Sequence, residues 1–404
     1  MKRHLAAGVS GLLLVSLALT GCGQRNAPAA PSGGGEGKKV ATIGVIAPLS
    51  GGLSAMGNGI RNSVELAVRQ ANETNAVPGW QFKFVAEDDQ GSPDPGRNAA
   101  TKLVADKTVV GVVGPLNSSV GQAMQPVFES AGIPLISPAN TNPSLTRGAD
   151  LANPVRPYKT YFRTCTTDDV QGPFAAKYLL DEGIKEVATI HDKKTYGQGL
   201  VAAFTEAFTK GGGTIVSAET INPDDKDFSA VISKVKATNP TLVYYGGEFP
   251  QAAPLSQQMK AAGLGVPLMG GDGIFDPNYI DLAGSASAND LATTVGAPAE
   301  SLPSAAAFVT AYEAAGFSGG YGAYGIQAYD AGTALIEGLK VSLKDATDVE
   351  SARAATVKAV GAVDFAGASG RVAFDEFGDN KTRTLTVFHV ADGVWKAVRT
   401  EDFK

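Results

Sequence analysis

Two short polar segments follow neighbouring predicted strands, and their residue types suit the binding of a small anion. The apolar run at Val109–Val113 stops at a glycine and a proline, and Ser118 follows where the pattern of an amphipathic helix begins. The next predicted strand, residues 133–137, leads to Thr141. A helix start offers unpaired N–H groups and a partial positive charge, so hydroxyl groups placed there suit a carboxylate. The alternative is that the serine residues only cap the helix.

The polar residues at other strand ends extend this prediction to a second half of the chain. The carboxyl ends of parallel strands meet at one edge of a sheet, so Ser118 and Thr141 are expected to be neighbours. Further along the chain, a second set of predicted strands is followed by Tyr196, Glu248 and Asp272. Two sheets whose polar edges face each other would enclose a cleft, which is a common place for a ligand.

Strands and helices alternate from residue 40 onward, which predicts an α/β protein with two doubly wound lobes. The first predicted strand, residues 40–48, is almost continuously apolar, as in a parallel sheet that is covered on both faces. One of the later helices is predicted to begin at Pro254 and to end at residue 262. Residues 370–374 and 384–390 are predicted to pair as a closing hairpin around a charged loop.

Composition and charge exclude several classes of function. The chain has 404 residues, of which 44% are hydrophobic, and its formal net charge is −6, so it is long enough for two domains with real cores. Its basic residues form no patch with interleaved aromatic residues, so no nucleic-acid partner is predicted. The chain contains two cysteines and three histidines, and no pair in its body has metal-ligand spacing. We therefore predict no metal and no cofactor.

Residues 316–320 match the pattern G-x-S-x-G, which is found around the catalytic serine of some hydrolases. A predicted helix precedes this motif instead of a strand, so the strand and sharp turn that present a catalytic serine are missing. The glycine-rich loops of nucleotide-binding proteins are also missing after the predicted strands. The sequence therefore predicts that the protein is not an enzyme.

The first residues have the three parts of an export signal. Lys2 and Arg3 form a basic start, an apolar run covers residues 12–19, and small residues precede Cys22. The segment LTGC at residues 19–22 resembles the bacterial lipoprotein processing site, where the cysteine is lipidated and becomes the mature N-terminus. We expect residues 1–21 to be a signal peptide and residues 22–39 to be the lipidated cysteine with a flexible linker. The alternative is an ordinary secretory leader with an incidental cysteine.

Several motifs of the body together resemble the leucine/isoleucine/valine-binding proteins, the type I solute-binding components of ABC transporters. These motifs are ISPANT (136–141), QGP (171–173), HDKKTYG (191–197), DFSA (227–230) and VYYGG (243–247). The resemblance implies the type I periplasmic binding protein fold, in which three crossovers join two α/β lobes that close on a free amino acid. It places residues 40–164 and 296–381 in the N-terminal lobe, and residues 165–295 and 382–404 in the C-terminal lobe.

The resemblance also implies roles for individual residues. Ser118 and Thr141 would bind the α-carboxylate of the ligand, and Ala139 would offer its carbonyl to the α-ammonium group. Asp272 stands where the family has an acidic residue that pairs with the ammonium group, and Tyr196 where an aromatic ring lines the side-chain pocket. These roles agree with the residue chemistry, because a zwitterion needs donors at one end and an anion at the other.

Two positions depart from the family pattern and bear on specificity. Met56 occupies the place of a tryptophan in the best-known members, and Glu248 the place of a tyrosine. A carboxylate in the side-chain pocket would be poorly solvated against an aliphatic ligand. The hypothesis is that the ligand side chain is polar or cationic, or that Glu248 turns away to a lysine or to water.

The sequence thus predicts a monomeric lipoprotein held at the extracytoplasmic face of the cell membrane. It would capture a free amino acid, branched-chain or similar, between two closing lobes and deliver it to an ABC transporter permease. The alternative function is a free-standing sensor of amides or polar amino acids with the same fold.

Overall fold

The fold of residues 37–403, which the computed structural model describes, consists of alternating strands and helices. The strands of this range are β1 (Lys39–Ala47), β2 (Trp80–Asp88), β3 (Val109–Val113), β4 (Leu135–Ser137), β5 (Tyr161–Arg163), β6 (Glu186–His191), β7 (Thr214–Thr220), β8 (Leu242–Gly246), β9 (Leu268–Gly270), β10 (Leu291–Val295), β11 (Asp364–Gly367), β12 (Gly370–Ala373), β13 (Thr384–Ala391) and β14 (Val394–Asp402). Its α-helices are α1 (Ser54–Glu73), α2 (Pro93–Ala105), α3 (Ser118–Ala131), α4 (Ser144–Arg147), α5 (Asp168–Asp181), α6 (Thr195–Lys210), α7 (Ser229–Ala237), α8 (Phe249–Ala261), α9 (Pro277–Ala283), α10 (Ala306–Ala314), α11 (Gly325–Ser342) and α12 (Val349–Gly361).

Two separate main sheets define two lobes. The first sheet is wholly parallel and has the strand order β2-β1-β3-β4-β5. The second has the order β14-β13-β10-β9-β8-β6-β7, and its last five strands are parallel to one another. At one edge, β13 pairs antiparallel with β10, and β14 pairs antiparallel with β13. Nearly continuous apolar runs, such as Val109–Val113 in β3, are buried throughout, because helices cover both faces of a parallel sheet. The predicted α/β class with two doubly wound lobes is confirmed.

The chain passes between the lobes three times. It leaves the first sheet after β5 and builds α5 to β10 in the second lobe. It then returns to the first lobe, where α11 packs against α1 and α12. It crosses once more before β13, which pairs with β10 of the second sheet. The residue boundaries given above for the two lobes stay a prediction.

The predicted closing hairpin is wrong. Residues 370–374 contain β12, which pairs with β11 in a small sheet of its own, whereas β13 pairs with β10 and β14. The loop between the two segments closes on itself, because the side chain of Asp375 accepts hydrogen bonds from the N–H groups of Phe377 and Asp379. The chain then changes lobes, so the two segments join different sheets.

The start of α8 is also different from the prediction. The helix begins at Phe249, whereas the sequence predicted a start at Pro254. Pro250 occupies the first turn, where the missing N–H would have had no partner within the helix. Pro254 lies inside the helix and does not end it.

Some predictions lie outside the described residues, namely the signal peptide at 1–21, the lipidated Cys22 and most of the linker at 22–39. Between residues 37 and 403, no helix combines the length and the apolar character that a membrane span requires. Within the same range, acidic, histidine and cysteine side chains form no group of three that could hold a metal ion.

A buried ion pair connects the first and third crossover regions. Arg163, at the end of β5, is fully buried, and its Nε lies 2.7 Å from Oδ1 of Asp379, which precedes β13. The N–H is poorly aligned for a hydrogen bond, so the contact is mainly ionic. The guanidinium group also donates to the carbonyl of Asn142 at 3.0 Å and to Oγ1 of Thr146 at 2.6 Å. Arg147 contacts the other oxygen of Asp379 at 3.2 Å.

Replacement of Asp379 by alanine is expected to lower the free energy of unfolding by about 3–5 kcal/mol, because it leaves the buried Arg163 charge unpaired. Equilibrium unfolding in urea measures the change. Asp364→Ala is the control, since Asp364 forms an exposed ion pair with Arg371, and such pairs contribute little to stability. Equal stability of the two variants would contradict a stabilising role for the buried pair.

Candidate functional site

A small cavity between the lobes contains most of the residues singled out in the sequence. The empty space between the atoms that line it is about 280 Å³. Six of the seven predicted ligand-binding residues line it, namely Met56, Ser118, Ala139, Tyr196, Glu248 and Asp272. The lining also includes four residues that the sequence analysis did not identify, namely Leu116, Asn117, Gly273 and Tyr324. The contacts of all these residues with a ligand stay a prediction.

Thr141, the seventh predicted residue, is fully buried and does not line the cavity. Its hydroxyl lies close to the carboxylate of Asp168. The segment is nevertheless adjacent to Ser118, because the N–H of Asn142 donates to Oγ of Ser118 at 3.4 Å. The carbonyl of Thr141 accepts a hydrogen bond of 2.8 Å from the N–H of Asp168 in the second lobe.

One end of the cavity contains a helix start and a hydroxyl group, which are features that suit an anion. Ser118 is the first residue of α3, so the N–H groups of the opening turn have no partner within the helix. The neighbouring loop that contains Ala139 is fixed by Ser137, whose Oγ accepts hydrogen bonds from the N–H groups of Ala139 at 3.2 Å and Asn140 at 2.9 Å. The Nδ2 of Asn140 in turn donates to the carbonyl of Leu116 at 2.8 Å. The loop and the helix start are therefore held together before any ligand arrives.

The opposite end of the cavity is built around the carboxylate of Asp272. Its Oδ1 accepts hydrogen bonds of 2.8 Å from Nε2 of Gln171 and from the hydroxyl of Tyr196. Its Oδ2 accepts one of 2.8 Å from the hydroxyl of Tyr324, which belongs to the first lobe. Burial raises the pKa of Asp272 to about 6, although the hydrogen bonds from Tyr324 and Tyr196 oppose this rise. The two oxygens of a carboxylate have about four acceptor positions, and the three hydrogen bonds fill three of them. One position therefore remains for a ligand cation.

Two glycines let Tyr196 reach Asp272. A Cβ atom at Gly271 would lie 2.4 Å from the hydroxyl oxygen of Tyr196, and one at Gly273 would lie 2.9 Å from its ring. Side chains at these two positions would therefore displace the ring. The glycines on both sides of Asp272, in the segment Gly-Gly-Asp-Gly, are the sequence feature that could have indicated this close approach of another side chain.

A second buried carboxylate, that of Asp168, lies near Asp272 and was missed in the sequence. Asp168 is the first residue of α5 and is fully buried, and the hydroxyl of Thr141 lies close enough to its carboxylate to favour the ionised form. Burial and the neighbouring Asp272 raise the pKa of Asp168 well above its usual value. An acidic residue at a helix start is commonly a helix cap, so the sequence alone did not identify Asp168 as part of a site.

The wall of the cavity near Met56 contains a third carboxylate, that of Glu248. Its Oε1 accepts a 2.7 Å hydrogen bond from Nδ2 of Asn117 in the first lobe, and its Oε2 accepts one of 2.9 Å from Nζ of Lys194. Burial raises the pKa of Glu248, but Lys194 and Asn117 outweigh this effect and hold the pKa below its usual value. Glu248 thus contacts a lysine, which is one of the two alternatives that the sequence left open. It also lines the cavity.

The lobes also touch at the rim of the cavity. The Nδ2 of Asn142 donates to the carbonyl of Thr195 at 2.7 Å, and Oγ1 of Thr195 donates to Oε1 of Gln122 at 3.2 Å. Asn142 and Gln122 belong to the first lobe, and Thr195 begins α6 in the second. The two halves therefore enclose the cavity in this structure.

Comparisons with known proteins agree with this architecture. A sequence model described as periplasmic binding protein matches residues 40–394. A Leu/Ile/Val-binding protein homolog of Brucella melitensis biotype 1 is 32% identical over 87% of this chain and 92% of its own length. The Leu/Ile/Val/Thr-binding protein of Salmonella typhimurium is 32% identical over 86% of this chain and 90% of its own length.

Solved structures lead to the same fold. The leucine-binding protein LivK of Thermotoga maritima superposes with a TM-score of 0.78 and 26% sequence identity, covering 90% of this chain and 99% of that one. The predicted type I periplasmic binding protein fold is thereby confirmed. These relatives are binding proteins of transporters, which also confirms that the chain is not an enzyme. The chain belongs to the periplasmic binding protein family of solute-binding proteins.

Proposed function

We propose that the protein captures a free α-amino acid in the cavity between its lobes and delivers it to an ABC transporter permease. The observation that carries this proposal is the polarity of the cavity, with a helix start and a hydroxyl at Ser118 and a buried carboxylate at Asp272. A zwitterion matches this arrangement, because its carboxylate takes the donors and its ammonium group takes the acceptor.

The carboxylate of the amino acid would accept hydrogen bonds from Oγ of Ser118 and from the first N–H groups of α3. The ammonium group would donate to Asp272 and to the carbonyl of Ala139. Thr141 would complete the carboxylate contacts if its hydroxyl turned from Asp168 toward the ligand. Burial and Asp272 raise the pKa of Asp168 well above its usual value, so a cation bound at this end would favour the ionised form of Asp168.

Binding would proceed by hinge closure of the lobes about the three crossovers, near residues 164–167, 294–296 and 381–384. The contacts that would form on closure join groups of opposite lobes, such as Tyr324 with Asp272 and Asn117 with Glu248. A ligand that bridges the same two lobes stabilises the closed state in proportion to its preference for that state.

The lipid anchor belongs to the same proposal. Residues 1–21 would direct export, Cys22 would carry the lipid, and the linker to residue 39 would let a monomeric body move above the extracytoplasmic face of the membrane. The Leu/Ile/Val/Thr-binding protein of Salmonella is named for the amino acids that it binds, which supports a free amino acid as the ligand.

The replacement Asp272→Ala is expected to weaken amino-acid binding by about 2–5 kcal/mol, because it removes one partner of a desolvated charge pair. Isothermal titration calorimetry with a panel of free amino acids measures the loss. Asp281→Ala is the matched control, since Asp281 is an exposed aspartate of the same lobe. An unchanged affinity in Asp272→Ala would remove Asp272 from the site, and a folded wild type that binds no amino acid would refute the proposed function.

A smaller effect is expected for Ser118→Ala, about 1–2 kcal/mol of binding free energy, because the backbone donors at the start of α3 remain. The same titration measures it with the tightest amino acid of the panel. The methyl ester of that amino acid provides an internal control, since it lacks the carboxylate charge and should bind poorly to the wild type. A loss in Ser118→Ala as large as that in Asp272→Ala would contradict the dominant role of the backbone donors.

Amino-acid binding is also expected to weaken as the pH falls below about 6. The pKa of Asp272 is raised to about 6 by burial, and only its ionised form pairs with an ammonium group. Protonation therefore competes with the ligand below this pH, by up to about tenfold in affinity for each pH unit. Titrations between pH 4.5 and 8 test this expectation, with Asp272→Asn as the variant whose weaker binding should lose this dependence. A flat wild-type profile would contradict it.

A further inference from the structure

Which amino acid the protein selects depends on the wall of the cavity that contains Glu248. This inference rests on the proposed function. If the two charged groups of the ligand occupy the ends at Ser118 and Asp272, its side chain points toward the remaining lining. That lining includes Met56, Leu116, Asn117 and Glu248, while the hydroxyls of Tyr196 and Tyr324 are already bound to Asp272. Met56 and Leu116 are apolar, so hydrogen bonding on this wall depends on Asn117 and Glu248.

These two polar residues present open acceptor positions. Glu248 accepts hydrogen bonds from Asn117, from Lys194 and from the protonated carboxyl group of Asp192, and a carboxylate has about four acceptor positions, so one stays open. The amide oxygen of Asn117 is buried and has no partner among the described residues. Lys194 is directed at Glu248 and is not part of the lining. A buried acceptor that stays unpaired is unfavourable, so a ligand that brings a donor is favoured over one that does not.

The charges around Glu248 favour a neutral donor over a cation. Nζ of Lys194 lies 2.9 Å from Glu248 and 3.9 Å from Asp192, so one ammonium group faces two carboxyl groups. Burial, together with the nearby Glu248, raises the pKa of Asp192 to about 8, so Asp192 is mostly protonated at neutral pH. The three side chains together then carry no net charge. A cationic ligand side chain would be buried beside them without a compensating charge.

We infer that the preferred ligand is an amino acid whose side chain ends in a neutral hydrogen-bond donor, a hydroxyl or a carboxamide, and that Glu248 accepts this hydrogen bond. Glu248 is thus a specificity-determining residue. Its position is set by Lys194 on one side and by Asn117 of the other lobe, and it lines the same small cavity as Ser118 and Asp272.

The test compares ligands of nearly equal shape that differ in one hydrogen-bonding group. Calorimetric titration of the whole protein with threonine and valine, and with asparagine and leucine, gives two such pairs. The wild type is expected to bind the polar member of at least one pair about tenfold or more tightly than its apolar partner. Glu248→Leu is expected to reverse that preference, and Glu248→Gln, which keeps an acceptor oxygen, is expected to retain it.

Glu219→Leu is the matched control, because Glu219 pairs with Lys234 in the same lobe and outside the cavity. This variant should keep the wild-type preference, and thermal unfolding of each variant shows whether it is folded. The inference is overturned if the apolar member of both pairs binds the wild type equally or more tightly, if lysine or arginine binds more tightly than threonine and asparagine, or if Glu248→Leu leaves the preference unchanged. A folded wild type that binds no amino acid overturns the proposed function itself and this inference with it.

Discussion

The structure depends on the burial of carboxylates at the contact between two lobes. Asp272 of the second lobe is 1% exposed and accepts a hydrogen bond from Tyr324 of the first lobe, in addition to those from Tyr196 and Gln171. A buried carboxylate is unfavourable unless donors replace the water that it loses. The donors come from both lobes, so the charge is fully accommodated only when the lobes are together. This constraint joins the chemistry of the site to the arrangement of the whole chain.

Glu248 shows the same arrangement at another wall of the cavity. Asn117 of the first lobe and Lys194 of the second both donate to it, and a cavity of about 280 Å³ remains between Glu248 and Asp272. The strand and loop ends that meet here are fixed from behind, for example by Ser137 beneath the loop of Ala139. The part of the lining that each lobe contributes is therefore held in place within that lobe, whereas contacts such as Asn117 with Glu248 need both lobes together.

Much of the candidate site was visible in the sequence because it follows a simple rule of α/β folds. Ser118, Tyr196 and Glu248 stand directly after strands or at helix starts, and the ends of parallel strands lie at one edge of a sheet. Tyr324 and Asp168 were missed for the opposite reason. Tyr324 precedes a helix in a segment far from any strand of its own sheet, and Asp168 looks like a helix cap. Their importance comes from which buried groups they face, and no local pattern contains that information.

The sequence by itself determined the class of fold and the two lobes, because apolar periodicity and strand-end residues are local properties of the chain, and the resemblance of several motifs indicated the family. It did not determine how residues 370–390 pair, since the two segments have equal strand character and only the return to the second lobe assigns β13 to β10. It also left open whether Glu248 faces a ligand or a lysine. The tertiary structure shows that Glu248 contacts Lys194 and also lines the cavity, because Lys194, 54 residues away, meets it in the folded second lobe and Asn117, 131 residues away, meets it where the two lobes touch.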